Sequence, residues 1–416
     1  AIDAMEHGPL LALGGGNVSA TDQSVETLVA VNILNAVSGA LNKTILFYDQ
    51  TAPESSTHQD LTQLISDLNA GKIKLLIVDD SNPVYALPPS MGFLQAMKKT
   101  FVVSLASQKS ETTHAANLVL PALTAYESWG DAFPRNGVRS IQQPVMSTVN
   151  MFDARAREDI LLSVAQNVNK KAFSGNSSYL DYLQNIWQKI QRKVGDRKNF
   201  DSFWISVLEN GGIFEKPKFI RASLNRRVGS VKLNDPGMAG SDGLTLFPTT
   251  SLLLGDGSGA NKPWLQEVPD PMSQIVWDSW MEINPDTAQK LGINDRAIVE
   301  VSTPYGSVQA TAYYHFGIHR NAIAIPMGQG HQHSGDVADG FGINVMELLP
   351  DQMDKAGSLV FVGAKAKLKL INEKSYTVNT DGNARQLGRD ISAATTVEEL
   401  KHPEKHSAGH NRTVEF

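Results

Sequence analysis

Cysteine is absent from all 416 residues. That excludes disulfides, thiolate nucleophiles and any zinc or iron–sulfur site held by cysteine within this chain. It leaves the compartment open, because an oxidising environment does not demand disulfides. Long apolar runs are missing as well. No window approaches the roughly 18–20 uninterrupted apolar residues of a spanning helix, so the chain is not expected to cross a membrane, while binding to a membrane partner stays open. Positive charge is in deficit, with 37 Lys+Arg against 43 Asp+Glu and a net charge of -6. No global basic field exists for nucleic acid or anionic lipid, so nucleic acid is not an expected partner; Asn225-Arg226-Arg227 is a local exception. No GxSxG elbow marks a serine hydrolase, and no Gly-Lys-Ser/Thr follows a glycine loop. The start, Ala1-Ile2-Asp3-Ala4-Met5, has neither an initiator methionine nor the regions of a secretory signal, so a processed or cut chain is expected.

What is present is ordinary globular composition, 41% apolar and 19% charged, over a length that suggests roughly two to three domains. Leu10–Leu13, the glycines Gly14, Gly15 and Gly16 with Asn17, and the periodic Val25, Leu28, Val29, Val37 and Leu41 read as strand, glycine turn and capped helix. Thr44–Tyr48, Ile73–Val78, Phe101–Leu105 and Leu118–Leu120 read as buried strands, with helices at 61–68 and 93–98 between them. Alternation of this size predicts an α/β fold with a mostly parallel sheet. Helical periodicity then runs through Ile160, Tyr179, Leu183, Trp187, Ile190 and Phe203 until Gly211-Gly212 stops it. Residues 211–274 read as an irregular connection. Short strands at 298–301, 308–312, 323–325 and 359–362 bracket a helix at 286–291 closed by Gly292, which predicts a compact barrel over 275–372. From 373 to 416 the chain reads as an extended polar tail.

Several motifs carry chemistry, each beside a plainer reading. The glycine turn would let backbone N–H groups approach a phosphate at a helix start, or is only a tight turn. Asp80 and Asn82, in Asp79-Asp80-Ser81-Asn82-Pro83, sit where open α/β sheets place ligands, or form an Asx-turn before proline. Glu127 and Gly130, beside Trp129 and Asp131, would line the same crevice, unless Trp129 simply packs. Gly328-Gln329-Gly330-His331-Gln332-His333 carries the His-x-His of the chain, whose rings would face one way on an extended segment and meet a shared ligand. No third or fourth metal ligand accompanies them, so no metal site is expected there. His402, His406 and His410 have helical spacing weakened by Pro403 and Gly409 and read as solvated tail, as Glu398-Glu399 read as a solvated face.

Asp80-Ser81-Asn82-Pro83, followed by Glu111-Thr112-Thr113-His114-Ala115-Ala116-Asn117-Leu118-Val119-Leu120-Pro121, resembles the molybdopterin oxidoreductases of the dimethyl-sulfoxide-reductase type. In that family a strand ends in an Asn-Pro turn, and a Glu-Thr, Ala-Asp, Val-Leu-Pro segment leads to a Glu and a Gly. Here Glu127 and Gly130 take those last places and Asn117 replaces the usual Asp. Trp280-Met281-Glu282-Ile283-Asn284-Pro285-Asp286-Thr287-Ala288, Leu291-Gly292-Ile293, Asp295 and Thr303-Pro304-Tyr305-Gly306 look like the start of the family's dinucleotide-binding double-psi β-barrel. Gln142-Gln143-Pro144-Val145, the run Gly259–Pro271 that contains Asn261, Gly328-Gln329-Gly330-His331 and Gly340-Phe341-Gly342-Ile343-Asn344 are similar to the B subunits of alternative complex III, a quinol-oxidising respiratory complex.

The resemblance implies a Rossmann-like, mostly parallel α/β nucleotide-binding-like domain over 1–210 and a double-psi β-barrel over 275–372. It implies a non-catalytic scaffold without a cofactor of its own. A vestigial pterin-nucleotide groove would be formed by Gly14, Gly15, Gly16, Asn17, Asp80, Asn82, Asn261, Gly328, Gly330 and His331. The partners implied are an iron–sulfur domain or subunit, multihaem cytochrome c subunits and integral membrane quinol-binding subunits, in a peripheral complex on the periplasmic face, with iron–sulfur clusters and haems in those partners. In the family, the cluster and metal ligands lie N-terminal to the region matching Ala1. The alternative is the C-terminal part of an active molybdenum or tungsten enzyme, similar to polysulfide or thiosulfate reductases, in which the same residues would wrap molybdopterin guanine dinucleotide.

Overall fold

The computed structural model describes residues 10–16, 19–49, 56–149, 151–225, 227–228, 243–375, 377–380 and 401. Leu10–Leu13 do not form a strand: Ala12 gives its backbone N–H and C=O to the amide of buried Asn35, which does the work a neighbouring strand would do. Helix α1 (Ser24–Val37) follows. Of Thr44–Tyr48 only β1 (Phe47–Tyr48) is strand, because residues 40–45 turn through Asn42 at φ 61°.

Helix α2 (His58–Asn69) begins at a reciprocal cap in which Thr57 and Asp60 satisfy each other's backbone N–H groups. Strand β2 (Leu75–Asp79) leads to the short helices α3 (Pro83–Ala86) and α4 (Phe93–Met97) and to β3 (Phe101–Ala106). Helix α5 (Glu111–Ala115) and β4 (Leu118–Pro121) complete a parallel sheet of order β2-β3-β4. Side chains alternate across strands, and one face, carrying Val78 and Val102, is packed by Ile65 and Leu68 of α2, Phe93, Ala96 and Met97 of α4, and Ala115 of α5.

A second layer contains β5 (Gly130–Arg135), β6 (Val138–Gln142), α6 (Arg157–Val168), α7 (Lys170–Phe173), α8 (Tyr179–Val194), α9 (Phe200–Asn210) and β7 (Gly212–Phe214). The apolar stripe of α8 buries Leu183, Trp187 and Ile190 against Phe203, Trp204 and Val207 of α9. Gly195 and Gly211 end the two helices in the left-handed conformation. β8 (Phe219–Ile220) pairs with β1.

The stretch read as an irregular connection contributes a strand, β9 (Leu244–Thr249), and the helix α10 (Pro263–Glu267). β10 (Trp280–Ile283), α11 (Pro285–Lys290), β11 (Ile298–Thr303), β12 (Gly306–Tyr314), β13 (Ala322–Pro326) and β14 (Lys365–Asn372) follow. With β9 they close a six-stranded barrel of order β10-β12-β11-β14-β9-β13. Leu246, Met281, Ile283, Val299, Val301, Ile323 and Ile325 fill it. Leu359–Val362, expected as a strand, forms only a bridge from Leu359 to Met353; the paired strand starts at Lys365. At the start of the expected tail, Ser375 and Thr377 bond to Thr311, and Asn379 bridges to Ile275. His402, His406, His410 and Glu398-Glu399 lie outside the described residues. The chain is thus mixed α/β with a closed barrel in its C-terminal part.

Candidate functional site

The carboxyl ends of β2 and β3 face the glycine-rich loops of the barrel across a cleft of about 480 Å3. Asp80, Asn82, Tyr85, Lys109, Asp256 and His331 are among its lining. Sequence reasoning placed Asp80, Asn82 and His331 in one groove, and the fold brings them together. Gly14–Gly16 are not in its lining, and Gly14 lies against Val31 of α1. Asn17 lies outside the described residues. Asn261, Gly328 and Gly330 are also absent from the lining and serve the barrel loops. Asn261 accepts the Val337 N–H at 3.1 Å. Gly330 has φ +85°, and a Cβ there would stand 2.0 Å from the Asn344 backbone nitrogen.

At the floor, Asn82 accepts from the backbone N–H and hydroxyl of Thr112 and donates to Glu111 Oε2 at 2.6 Å. Glu111 also accepts from the Gln332 N–H at 2.8 Å and contacts His331 Nδ1 at 3.1 Å. His331, 1% exposed, places Nε2 3.1 Å from the Gly257 carbonyl. Both partners of the ring are acceptors, so both contacts are hydrogen bonds only when both nitrogens carry protons. Gly257 is needed here: at φ +96°, a Cβ would collide with His331 and Tyr85. Tyr85 stacks on the imidazole, ring centroids 3.8 Å apart, and donates its hydroxyl to the Gln329 carbonyl at 2.8 Å. Gln329 and Gln266 pair their amides reciprocally beneath.

Burial alone would raise the Glu111 carboxyl, but hydrogen bonds from His331, Asn82 and the Gln332 N–H together hold it at about 2. The Tyr85 phenol is pushed up by burial and by the neighbouring Glu111 charge. Asp256 is held below the usual carboxylate range by hydrogen bonds from Ser258, aided by the charge of His331. Asp80, at φ 43°, receives Ser107 and Arg157.

The His-x-His pair does not converge. His333 stacks on His114 at 3.6 Å while His331 turns to Glu111. Among the described residues no group of three or more His, Cys, Asp or Glu stands where it could hold a metal ion. The expected shared crevice also divides. Trp129, Gly130 and Asp131 line a separate hollow of about 290 Å3 with Glu158, and Trp129 packs on Trp204. Glu127 bonds to Thr124 and the Val149 N–H instead. Tyr85 and the pairing of Glu111 with His331 were not anticipated; the capped start of α5 at Ser110 marks a helix but not a partner 220 positions away.

Residues 264–357 match the family described as the molydopterin dinucleotide binding domain. The chain is 28% identical over 315 residues to the menaquinone reductase, molybdopterin-binding-like subunit of Nitratidesulfovibrio vulgaris, covering 74% of this chain and 43% of that protein. It is 22% identical over 317 residues to the assimilatory nitrate reductase catalytic subunit of Bacillus subtilis, covering 71% and 41%. These matches support membership of the molybdopterin oxidoreductase family. It spans less than half the length of the curated relatives it matches. Acetylene hydratase from Pelobacter acetylenicus superposes with a TM-score of 0.48 at 18% identity, over 74% of this chain and 46% of that one, a likeness too loose to transfer detail.

The family's pyrophosphate-linked nucleotide calls for open N–H donors or cations. In this cleft Asn82 and His331 are already bonded within the chain, and the Asp80 and Asp256 carboxylates join Lys109 in the lining. The two carboxylates oppose an anion there, while Lys109, Gln108 and Ser110 in the same lining favour one.

Proposed function

We propose that this chain is a non-catalytic, cofactor-free, molybdopterin-enzyme-like scaffold unit of a quinol:electron-carrier oxidoreductase of the alternative complex III type. In this reading it sits in a peripheral complex on the periplasmic face and holds an iron–sulfur domain and multihaem cytochrome c subunits in register with integral membrane quinol-binding subunits. The observation that carries it is the Asn82–Glu111–His331 clasp, which spends on internal bonds the polar groups a pterin nucleotide would need. The relative named a molybdopterin-binding-like subunit of a menaquinone reductase supports the quinone-linked setting. A second reading, an active molybdenum or tungsten enzyme, is favoured by the match to a dinucleotide-binding domain and by a cleft large enough for part of a ligand.

Elemental analysis of the purified protein, with fluorescence assay for released pterin, separates the two. The scaffold reading expects molybdenum and tungsten far below one per chain and no pterin. Stoichiometric metal with pterin overturns it.

A further inference from the structure

Among the described residues, helices cover one side of the β2-β3-β4 sheet, whereas the other side is buried at its carboxyl end, at Leu105, and open toward its amino end. Leu75 and Ile77 of β2, Phe101 of β3 and Leu118 of β4 share the other side by register, and they are 53%, 44%, 50% and 42% exposed. Parallel sheets are ordinarily buried on both faces. The outer edge of β2 is open too: among the described residues β2 pairs with β3 alone, so half the backbone groups of Leu75–Asp79 point outward. Open face and open edge meet at β2 and form one continuous surface.

The chain's own crossovers do not cover it. β2 to β3 and β3 to β4 step the same way along the sheet, and right-handed crossovers running one way place their helices on one face. That face is already occupied by α2, α4 and α5.

We propose that this surface receives a strand and an amphipathic helix from polypeptide of the family, of the kind that makes up the more than half of each curated relative's length lying outside the match. The strand pairs parallel to β2, and the helix lies antiparallel to the strands over Leu75, Ile77, Phe101 and Leu118. Charge supports that direction. Lys74, Lys98 and Lys99, all exposed, stand at the amino ends of β2 and β3, where the negative carboxyl end of such a helix would arrive. Asp79 and Asp80, at the other end, are already paired with Arg157, so the lysines alone favour that direction by charge. A second copy does not satisfy the surface: paired face to face it leaves the β2 edge bare, and paired edge to edge it leaves the face bare. The proposal is independent of the electron-transfer reading.

The test uses the native assembly. A photoreactive p-benzoylphenylalanine replaces Ile77, and the crosslinked peptide is sequenced; amide exchange of Leu75–Asp79 is compared between the assembly and the chain alone. The expected result is a crosslink to an amphipathic helical segment of family polypeptide outside these 416 residues, with exchange at β2 slowed roughly tenfold or more in the assembly. The variant Ile77→Lys keeps the melting temperature of the isolated chain, because the site is open there, and loses the assembly. A crosslink to another copy of this chain or to lipid, unchanged exchange, or an isolated Ile77→Lys chain that melts early, each overturns the proposal.

Discussion

At the scale of single residues, the chemistry is concentrated in a carboxylate that burial opposes and hydrogen bonds rescue. Glu111→Gln keeps the shape but replaces a carboxylate that accepts from Asn82 and the Gln332 N–H and contacts His331 with a neutral amide, so unfolding free energy should fall by about 2 kcal/mol, read from the midpoint of urea denaturation. Asp286→Asn, at the exposed pair with Arg320, should cost less than about 1 kcal/mol in the same assay. The sign of the pH dependence follows. Glu111 is held at about 2 against an ordinary 4.5, so its contribution is fully present above 4.5 and drains away as pH falls toward 2. Melting temperature against acid pH should therefore slope less steeply in Glu111→Gln than in the parent chain. Asp80, Asn82 and His331 were legible as neighbours because strand ends and glycine loops announce a ligand-facing edge. Their bonding to one another was not, since Glu111 and His331 are 220 positions apart and no local pattern couples them.

Among elements, legibility followed how local the forces are. The stripe Leu183, Trp187, Ile190 names α8 outright, and β2, β3 and β4 appear as apolar runs between turns. Leu10–Leu13 looked equally strand-like, but a side-chain amide at Asn35 took its backbone bonds. Leu359–Val362 has the apolar content of a strand, yet the alternating Lys365–Asn372 won the place between β11 and β9. Strand β9 was hidden because the thirty positions 250–279, rich in Gly, Pro, Asn and Ser, separate it from β10, and it finds its partners only in three dimensions. The glycine-rich loop makes a claim that can be checked at this scale. Gly330→Ala forces a Cβ to 2.0 Å from the Asn344 nitrogen and should cost about 2–3 kcal/mol, with new thermolysin cleavage in the 328–342 loop. Gly340→Ala, also at positive φ but with nothing within 4 Å, should cost about 1 kcal/mol.

For the whole molecule, contacts join the N-terminal α/β part to the C-terminal part that holds the barrel. Tyr85 donates to Gln329, Asn344 donates to the Tyr85 carbonyl, His114 stacks on His333, and Lys355 pairs with Glu26. The sequence order foretold an α/β part and a barrel, because each has its own periodicity; the joint between them has none and stayed invisible. Residues 264–357, the stretch that matches the dinucleotide-binding family, lack both β9 and β14. A fragment of that extent should show no cooperative thermal transition, whereas residues 243–380 should melt cooperatively, as followed by circular dichroism. The ring also sets a timetable. Thr245 of β9 pairs with Ala322 and with Lys365, the latter 120 positions later. At a synthesis rate of about 5–20 residues per second, Leu246 and Phe247 leave the ribosome on the order of 6–24 s before the strand that seals them has been made. For that interval a strand destined for the barrel core stands with one side unmatched, so the barrel closes only after translation has passed β14.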